Sequence, residues 1–145
     1  MITLLYRSLL IITAVAAAIT ADAQMRRVMA VNSTAGATEM TVYDYDFVDS
    51  QPQFPGGDCA MFQYINNERR YPSQAYQHRI QGRVLCSFVV NTDGSISNVT
   101  VVRGVEESLN REAMRIISEM PQWNAGKLNG QPVPVYCILP IAFRL

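Results

Sequence analysis

The feature that most constrains this chain is a β-hairpin pattern near its middle. Two runs rich in β-branched residues, 83–91 (RVLCSFVVN) and 95–103 (SISNVTVVR), flank the turn sequence Thr92-Asp93-Gly94. Asp-Gly between two such runs is a strong hairpin signal. Side chains alternate between the two faces of a strand. Four apolar residues of the first strand therefore share the face that we predict to be the core side: Val84, Cys86, Phe88 and Val90.

A helix is predicted directly after the hairpin. From Leu109 to Met120, apolar residues recur at the spacing of an amphipathic helix, and Pro121 ends the pattern. Ser108 or Asn110 is the predicted N-cap of this helix.

The end of the chain, residues 131–145 (QPVPVYCILPIAFRL), alternates as a last strand. Pro132, Pro134 and Pro140 fall within it, and proline cannot donate a hydrogen bond to a ladder, so we predict an edge strand. An exposed edge can receive an extended peptide. The prolines can equally serve only to protect that edge against aggregation, and the sequence pattern leaves both interpretations open.

A second helix is predicted before the hairpin, over residues 59–69. The Pro/Gly-rich segment 50–57 precedes this helix, Asp58 is its predicted N-cap, and Tyr71-Pro72 ends it. A short strand is predicted further upstream, over residues 41–48 (TVYDYDFV).

The order helix, strand, strand, helix, strand predicts an α+β domain. A hairpin followed by a helix and a third strand usually forms a split β-α-β unit with a right-handed crossover. We therefore predict a three-stranded antiparallel sheet of strand order 2-1-3, with two helices packed on one face.

The N-terminus has the pattern of a cleavable signal peptide. Arg7 precedes the apolar segment 8–19, and Ala21-Asp22-Ala23 supplies the small residues of a cleavage site. A membrane-spanning helix needs about 20 apolar residues, and this run is shorter.

This pattern sets the predicted domain organisation. Residues 1–23 are a signal peptide, residues 24–41 are a flexible lead-in, and residues 42–145 form the domain. Cleavage would leave a soluble protein outside the cytoplasm. An uncleaved membrane anchor is the alternative.

Composition excludes several classes of function. The chain has 12 Lys+Arg and 12 Asp+Glu, so it lacks the basic excess of nucleic-acid-binding proteins. A disordered chain is also excluded, because 49% of the residues are hydrophobic and 17% are charged. His78 is the single histidine, and no acid–base, nucleophilic or metal-ligand set accompanies it. We therefore predict a protein that is not an enzyme and that has no catalytic, cofactor or metal site.

The three cysteines, Cys59, Cys86 and Cys137, form no CxxC motif. Cys86 and Cys137 are predicted at core-facing positions of neighbouring strands. We interpret them as two buried thiols, because free cysteine behaves as a small hydrophobic residue. A cross-strand disulfide, which an exported location permits, is the alternative.

Several short motifs, taken in order, resemble the C-terminal domain of TonB, in the form found in Bacteroidetes homologues. The resemblance covers roughly residues 42–145. The motifs are QPQFPGG at 51–57, Tyr71-Pro72, Gly82-Arg83-Val84, Asp93-Gly94-Ser95-Ile96, Leu109-Asn110-Arg111-Glu112-Ala113, Trp123-Asn124-Ala125-Gly126-Lys127 and the closing PVPVYCILPIAFRL.

The resemblance implies a periplasmic domain that binds the TonB box, a short N-terminal peptide of outer-membrane receptors. In that family the peptide pairs with the last strand, and force from a proton-driven inner-membrane motor passes along it. Trp123 and Gly126 would set the approach to the recognition edge. That edge would consist of Val133, Val135, Tyr136, Cys137 and Ile138. Coupling to the motor would need an anchor and a Pro-rich spacer, which we expect this chain to lack if the signal peptide is cleaved.

A second hypothesis is a stand-alone exported interaction or regulatory subunit, which includes the case of a homodimer. It rests on the predicted sheet face that points away from the helices. That face is unusually apolar for one open to solvent, so we expect a partner or the 42–48 strand to cover it. Its predicted members are Leu85, Val89, Tyr136 and Ile138.

Overall fold

The computed structural model describes residues 26–33 and 36–145. The chain divides into two compact units, and the division falls between Thr41 and Val42. The predicted signal peptide, residues 1–23, lies outside the described residues.

The first unit contains β1 (Arg26–Ser33) and most of β2 (Gly36–Asp44), which are neighbouring strands. Both strands fall largely within the segment predicted to be a flexible lead-in, residues 24–41. The flexibility of that segment stays a prediction.

The second unit, Val42–Leu145, contains the end of β2 and the remaining elements. Its helices are α1 (Gly57–Glu68), α2 (Ser73–Gln77) and α3 (Glu107–Ser118). Its further strands are β3 (Gly82–Val90), β4 (Ile96–Arg103), β5 (Lys127–Leu128), β6 (Gln131–Pro132) and β7 (Val135–Phe143).

The main sheet of this unit is mixed and has four strands, in the order β2-β7-β3-β4. β3 pairs antiparallel with β4 and also with the whole of β7, from Gly82 opposite Phe143 to Val90 opposite Val135. The end of β2 adds a parallel partner to β7, with Tyr43 opposite Val135. The predicted three-stranded antiparallel sheet of order 2-1-3 is therefore corrected. Its strands are β4, β3 and β7, and β2 joins them as a fourth strand by pairing with the start of β7. β7, predicted to be an edge strand, is therefore an edge only beyond that pairing.

The hydrophobic core lies between one face of this sheet and the helices, which confirms the predicted α+β class. The four apolar residues that we assigned to the core face of β3 are all buried. They share one cluster with residues from α1 and α3, because the apolar stripe of each helix faces the sheet. The helical members of this cluster are Met61, Ile65, Leu109, Ala113, Ile116 and Ile117.

Both helix caps differ from the prediction. Gly56, in the left-handed region with φ +88°, is the N-cap of α1, and Asp58 lies inside the first turn. Glu106 is the N-cap of α3, and its Oε2 accepts hydrogen bonds from the backbone N–H of Ser108 at 3.0 Å and of Leu109 at 3.4 Å. An extended glutamate can fold back over the first turn in this way and satisfy amides that lack helical partners.

Two predicted strands have other bounds than expected, and β2 begins five residues before the predicted strand 41–48. β2 ends at Asp44, because the backbone N–H of Phe47 donates to the Asp44 carbonyl at 3.0 Å and closes a turn. The predicted strand over residues 131–145 is divided into β6 and β7. Asn129 and Gly130 have φ values of +51° and +77° and form a small hairpin between β5 and β6. Asn-Gly favours such a turn, so the sequence did carry this signal.

The turn of the central hairpin is held against the loop that follows α3. The backbone N–H of Trp123 donates to the Gly94 carbonyl at 2.8 Å. Gly94 has φ +85°, and a Cβ atom at this position would lie 1.9 Å from the Trp123 carbonyl oxygen. Only glycine fits this turn, because a side chain would clash with the backbone and would strain the left-handed conformation.

We expect Gly94→Ala to lower the free energy of unfolding by about 2–3 kcal/mol, from left-handed strain combined with overpacking. Gly130→Ala is the matched control, because Gly130 has φ +77° but no atom within 4 Å of the place that an added methyl group would take. It should cost only about 1 kcal/mol, from strain alone. Urea unfolding of both variants measures the difference, and equal losses would show that the contact with Trp123 is unimportant.

Candidate functional site

The side chains of β7 divide between the two faces of the sheet. The odd-numbered residues face the helices and are buried, as expected for a half-covered strand: Val135, Cys137, Leu139, Ile141 and Phe143. The even-numbered residues face the other way, and Ile138 is 51% exposed. The helix-facing side chains therefore hold β7 in place and leave its opposite face accessible.

Two hydrogen bonds identify which backbone groups of β7 point away from β3. The backbone N–H of Tyr43 donates to the Pro134 carbonyl at 3.0 Å, and Nη1 of Arg69 donates to the Ala142 carbonyl at 2.8 Å. The backbone groups of successive strand residues alternate between the two edges. Ile138 and Pro140, which lie between these two positions, therefore also direct their backbone groups outward.

β2 occupies only the start of this outward edge, where Tyr43 and Asp44 pair with Val135 and Tyr136. In the described part of the chain, no strand lies beside the stretch from Ile138 to Ala142. We call residues 138–142 the open edge.

The open edge offers few hydrogen-bonding groups. Pro140 has no N–H, so the outward donors are the amides of Ile138 and Ala142. The carbonyls of Ile138 and Pro140 are the outward acceptors, because Arg69 already occupies the Ala142 carbonyl. This edge can pair with an extended chain of only a few residues.

The opposite edge of the sheet, formed by β4, is irregular. The register of β4 against β3 shifts between Leu85 and Cys86 and again between Ser87 and Val89. Asn98 in β4 has φ +53°. Such bulges bend and twist an edge and disrupt continuous pairing with a further strand. The regular edge available to a partner is therefore that of β7.

The structure places the five predicted recognition residues in different environments. Val133 precedes β7, and its N–H donates to the Gly126 carbonyl at 3.0 Å. Val135 and Cys137 face the core, and Tyr136 lies opposite Asp44 of β2. Of the five, only Ile138 belongs to the open edge, and a binding role for the set stays a prediction.

The sequence pattern did not assign Arg69 or Ala142 to this site, and it indicated Pro140 only as a mark of an edge strand. The predicted last strand, residues 131–145, already included Pro140 and Ala142. Nothing in the sequence indicates that Arg69, far away in the chain, reaches this edge.

Trp123 and Gly126 lie in the loop that leads to β7. Trp123 is only 9% exposed, and its ring makes edge contacts with the rings of Phe88 at 5.5 Å and Phe54 at 5.8 Å between centroids. A Cβ atom at Gly126 would lie 2.7 Å from Cγ2 of Val135. Trp123 thus packs in the core and Gly126 lies against Val135 at the start of β7, so neither residue belongs to the open edge.

The sheet face away from the helices is covered unevenly. Ser87 and Val89 are buried on this face, whereas Leu85 is half-buried and Ile138 is exposed. Leu85 lies opposite Pro140, and both border the open edge. The accessible part of this apolar face is therefore continuous with the open edge.

Within residues 40–145, no group of three or more His, Cys, Asp or Glu side chains is arranged to hold a metal ion. No helix among the described residues is long and apolar enough to cross a bilayer.

Cys86 and Cys137 are free, buried thiols on the core side of the sheet. They occupy diagonal positions, because Cys86 lies opposite Leu139 and Cys137 opposite Phe88. Burial raises the pKa of Cys86 from 9.0 to about 11 and the pKa of Cys137 to about 12. Cys59, in the first turn of α1, is exposed.

We expect a thiol reagent at pH 8 to modify Cys59 in the folded protein and all three cysteines in denaturant, since thiolates react and buried neutral thiols do not. Mass spectrometry of the labelled chain measures this, and Cys59→Ser should abolish labelling of the folded state. A disulfide between Cys86 and Cys137 would instead leave only one thiol to react in denaturant.

The pKa of each buried thiol is higher in the folded than in the unfolded chain. The free energy of unfolding should therefore fall as the pH rises from 9 toward 11.

The sequence matches the family described as Gram-negative bacterial TonB protein C-terminal over residues 67–145, which is more than half of the chain. Two relatives named Protein TonB, from two strains of Helicobacter pylori, are each 35% identical over 83 residues. These matches cover 56% of this chain and 28% and 27% of the relatives. The chain thus spans less than a third of their length.

Two solved structures are also similar, both NMR solution structures of the Helicobacter pylori TonB C-terminal domain. Each has 30% sequence identity and a TM-score of 0.46. The matches cover 59% of this chain and 77% and 89% of the two solved chains.

Proposed function

The chain belongs to the TonB C-terminal domain family, and we propose that it binds a short extended peptide, the TonB box of an outer-membrane receptor, by strand addition to β7. Family membership supports a TonB-like role in outer-membrane transport. The observation that carries the proposal is the open edge, residues 138–142, which is regular and has no strand beside it in the described chain.

Recognition at this edge is proposed to be mainly through the backbone. An added strand can accept from the amides of Ile138 and Ala142 and donate to the carbonyls of Ile138 and Pro140. In β-augmentation such bonds supply affinity, and side-chain contacts supply selectivity. Ile138, 51% exposed, and the half-buried Leu85 offer an apolar surface beside the edge. The net charge of zero fits a partner recognised without strong electrostatic steering.

A periplasmic location is part of this proposal, because residues 1–23 have the pattern of an export signal. In the periplasm the domain can meet the N-terminal segments of outer-membrane receptors. We propose a role in transport and not an enzymatic one. Transmission of force further requires that the chain is held at the inner membrane, either by an uncleaved N-terminal segment or through a partner.

We expect Ile138→Pro to weaken peptide binding about fivefold or more. The substitution removes one outward N–H, and a hydrogen bond contributes about 1 kcal/mol. It leaves the ladder with β3 intact, because the Ile138 amide points away from β3. Ile138→Val is the matched control, since it keeps the amide and most of the apolar surface. NMR titration of the chain with receptor N-terminal peptides measures both affinities.

Shifts of the amides of residues 136–139, 141 and 142 on titration would support the proposal. No shift at these positions with any receptor peptide, or equal affinity of Ile138→Pro and Ile138→Val, would contradict it.

A second candidate function is an exported interaction or regulatory subunit that acts without energy transduction. It is favoured by the exposed apolar residues outside the core, among which Ile138 is 51% and Val102 52% exposed. A partner protein or a second copy of the chain would cover this surface. Sedimentation of the chain at rising concentration tests the second copy, and a monomer throughout would count against it.

A further inference from the structure

Arg69 joins the end of α1 to the open edge. It is the C-cap residue of the helix, with φ −62° and ψ 121°, and its own N–H donates to the Ile65 carbonyl at 2.9 Å. This extended backbone turns the chain out of the helix. The half-buried side chain then reaches β7, where Nη1 donates to the Ala142 carbonyl at 2.8 Å.

The guanidinium of Arg69 has no carboxylate partner among the described residues. Other arginines of the domain do: Arg111 pairs with Glu107, and Arg115 pairs with Glu112 and Glu119. A guanidinium has five N–H donors in a planar fork that matches a carboxylate. Arg69 uses one of them on a neutral carbonyl, so a positive charge with free donors lies beside the backbone edge.

The bond from Arg69 also limits strand addition. An incoming strand that donates to the Ala142 carbonyl must share it with Nη1 of Arg69 or displace that bond. Backbone pairing is therefore weaker at this position, and the group of the incoming chain that reaches it lies close to the guanidinium. A carboxylate there would gain charge-assisted hydrogen bonds that a neutral side chain cannot make.

We propose that Arg69 is a specificity-determining residue of the open edge, and that it selects an extended peptide with a carboxylate at the end that reaches Ala142. This inference rests on the proposed strand addition to β7. For a peptide that runs parallel to β7, the selected carboxylate is at the C-terminal end of the paired segment. For an antiparallel peptide, it is at the N-terminal end.

The test uses blocked six-residue peptides of alternating valine and threonine. One peptide has glutamate at its first position, one has glutamate at its last position, and each has a neutral control with glutamine instead. The affinity of every peptide for the full chain is measured by NMR titration. The decisive quantity is the ratio of affinities between each glutamate peptide and its glutamine control. A ratio within one protein variant is insensitive to any general loss of stability.

Arg70→Gln is the matched control for Arg69→Gln, because it removes the same charge one residue away. Arg70 lies on the side of α3, where its backbone N–H donates to Oε1 of Glu112 at 2.8 Å, and it lines a cleft with Arg111 and Arg115. Because these contacts are with the α3 side and not with the open edge, Arg70 is a probe of general electrostatic attraction. Arg69→Lys is a second variant, which keeps the charge but removes the planar fork.

We expect one glutamate peptide to bind about fivefold more tightly than its glutamine control to the unmodified chain and to Arg70→Gln, a size typical of a partly exposed ion pair. Arg69→Gln should reduce that ratio to about one, and Arg69→Lys should give an intermediate ratio. The end of the peptide that carries the effective glutamate then gives the strand direction.

Equal binding of glutamate and glutamine peptides to the unmodified chain would overturn the role of Arg69 and leave strand addition standing. Equal loss of the ratio in Arg69→Gln and Arg70→Gln would also overturn it, in favour of general electrostatics. Absence of binding by every peptide would overturn the proposed function and this inference with it.

Discussion

The packing of Trp123 is the contact on which the rest of the domain depends. Its ring lies against Phe88 of β3 and against Phe54, which precedes α1, while its backbone N–H holds the turn at Gly94. The indole N–H has no hydrogen-bond partner among the described residues, so ring packing holds the side chain. One residue thus joins the hairpin, the segment before α1 and the loop toward β7.

This junction fixes where β7 begins. Asn124 on this loop and Lys127 at the start of β5 pair with Gln53 and Ser50 through four backbone hydrogen bonds of 2.8–3.1 Å. Gly126 between them accepts from the N–H of Val133. The chain therefore enters β7 in a register that is already set. The alternation that buries Cys137 and exposes Ile138 follows from that register, since a slip of one residue would exchange the two faces.

Features encoded by local pattern were predictable from the sequence. The hairpin around Asp93-Gly94 and the apolar stripe of α3 depend on residues close in the chain, and the structure confirms both. The caps were harder, because several polar residues near each helix start can serve. Glu106 caps α3 in place of the predicted Ser108 or Asn110, since its longer side chain reaches the first-turn amides from one residue before the helix.

The candidate site was less predictable, because it depends on contacts between distant parts of the chain. Prolines in the last segment indicated an edge strand, but not that β2 would cover its first two residues. The bond from Arg69 to Ala142 joins residues 73 positions apart, and no periodicity encodes such a contact. The sequence therefore indicated the strand that carries the open edge, while tertiary contacts at both ends define which part of it is open.

Pro140 gives this open edge a preference between partners. Because it lies at the centre of residues 138–142, two copies of β7 that paired antiparallel about this centre would place a proline from each strand in the interface. Pairing between two copies of β7 would then lack two N–H donors, whereas pairing of β7 with a proline-free peptide would lack one. At about 1 kcal/mol for each missing hydrogen bond, this difference favours a foreign strand over a second copy. The same proline that shortens the edge thus disfavours self-pairing more than it disfavours the proposed addition of a peptide.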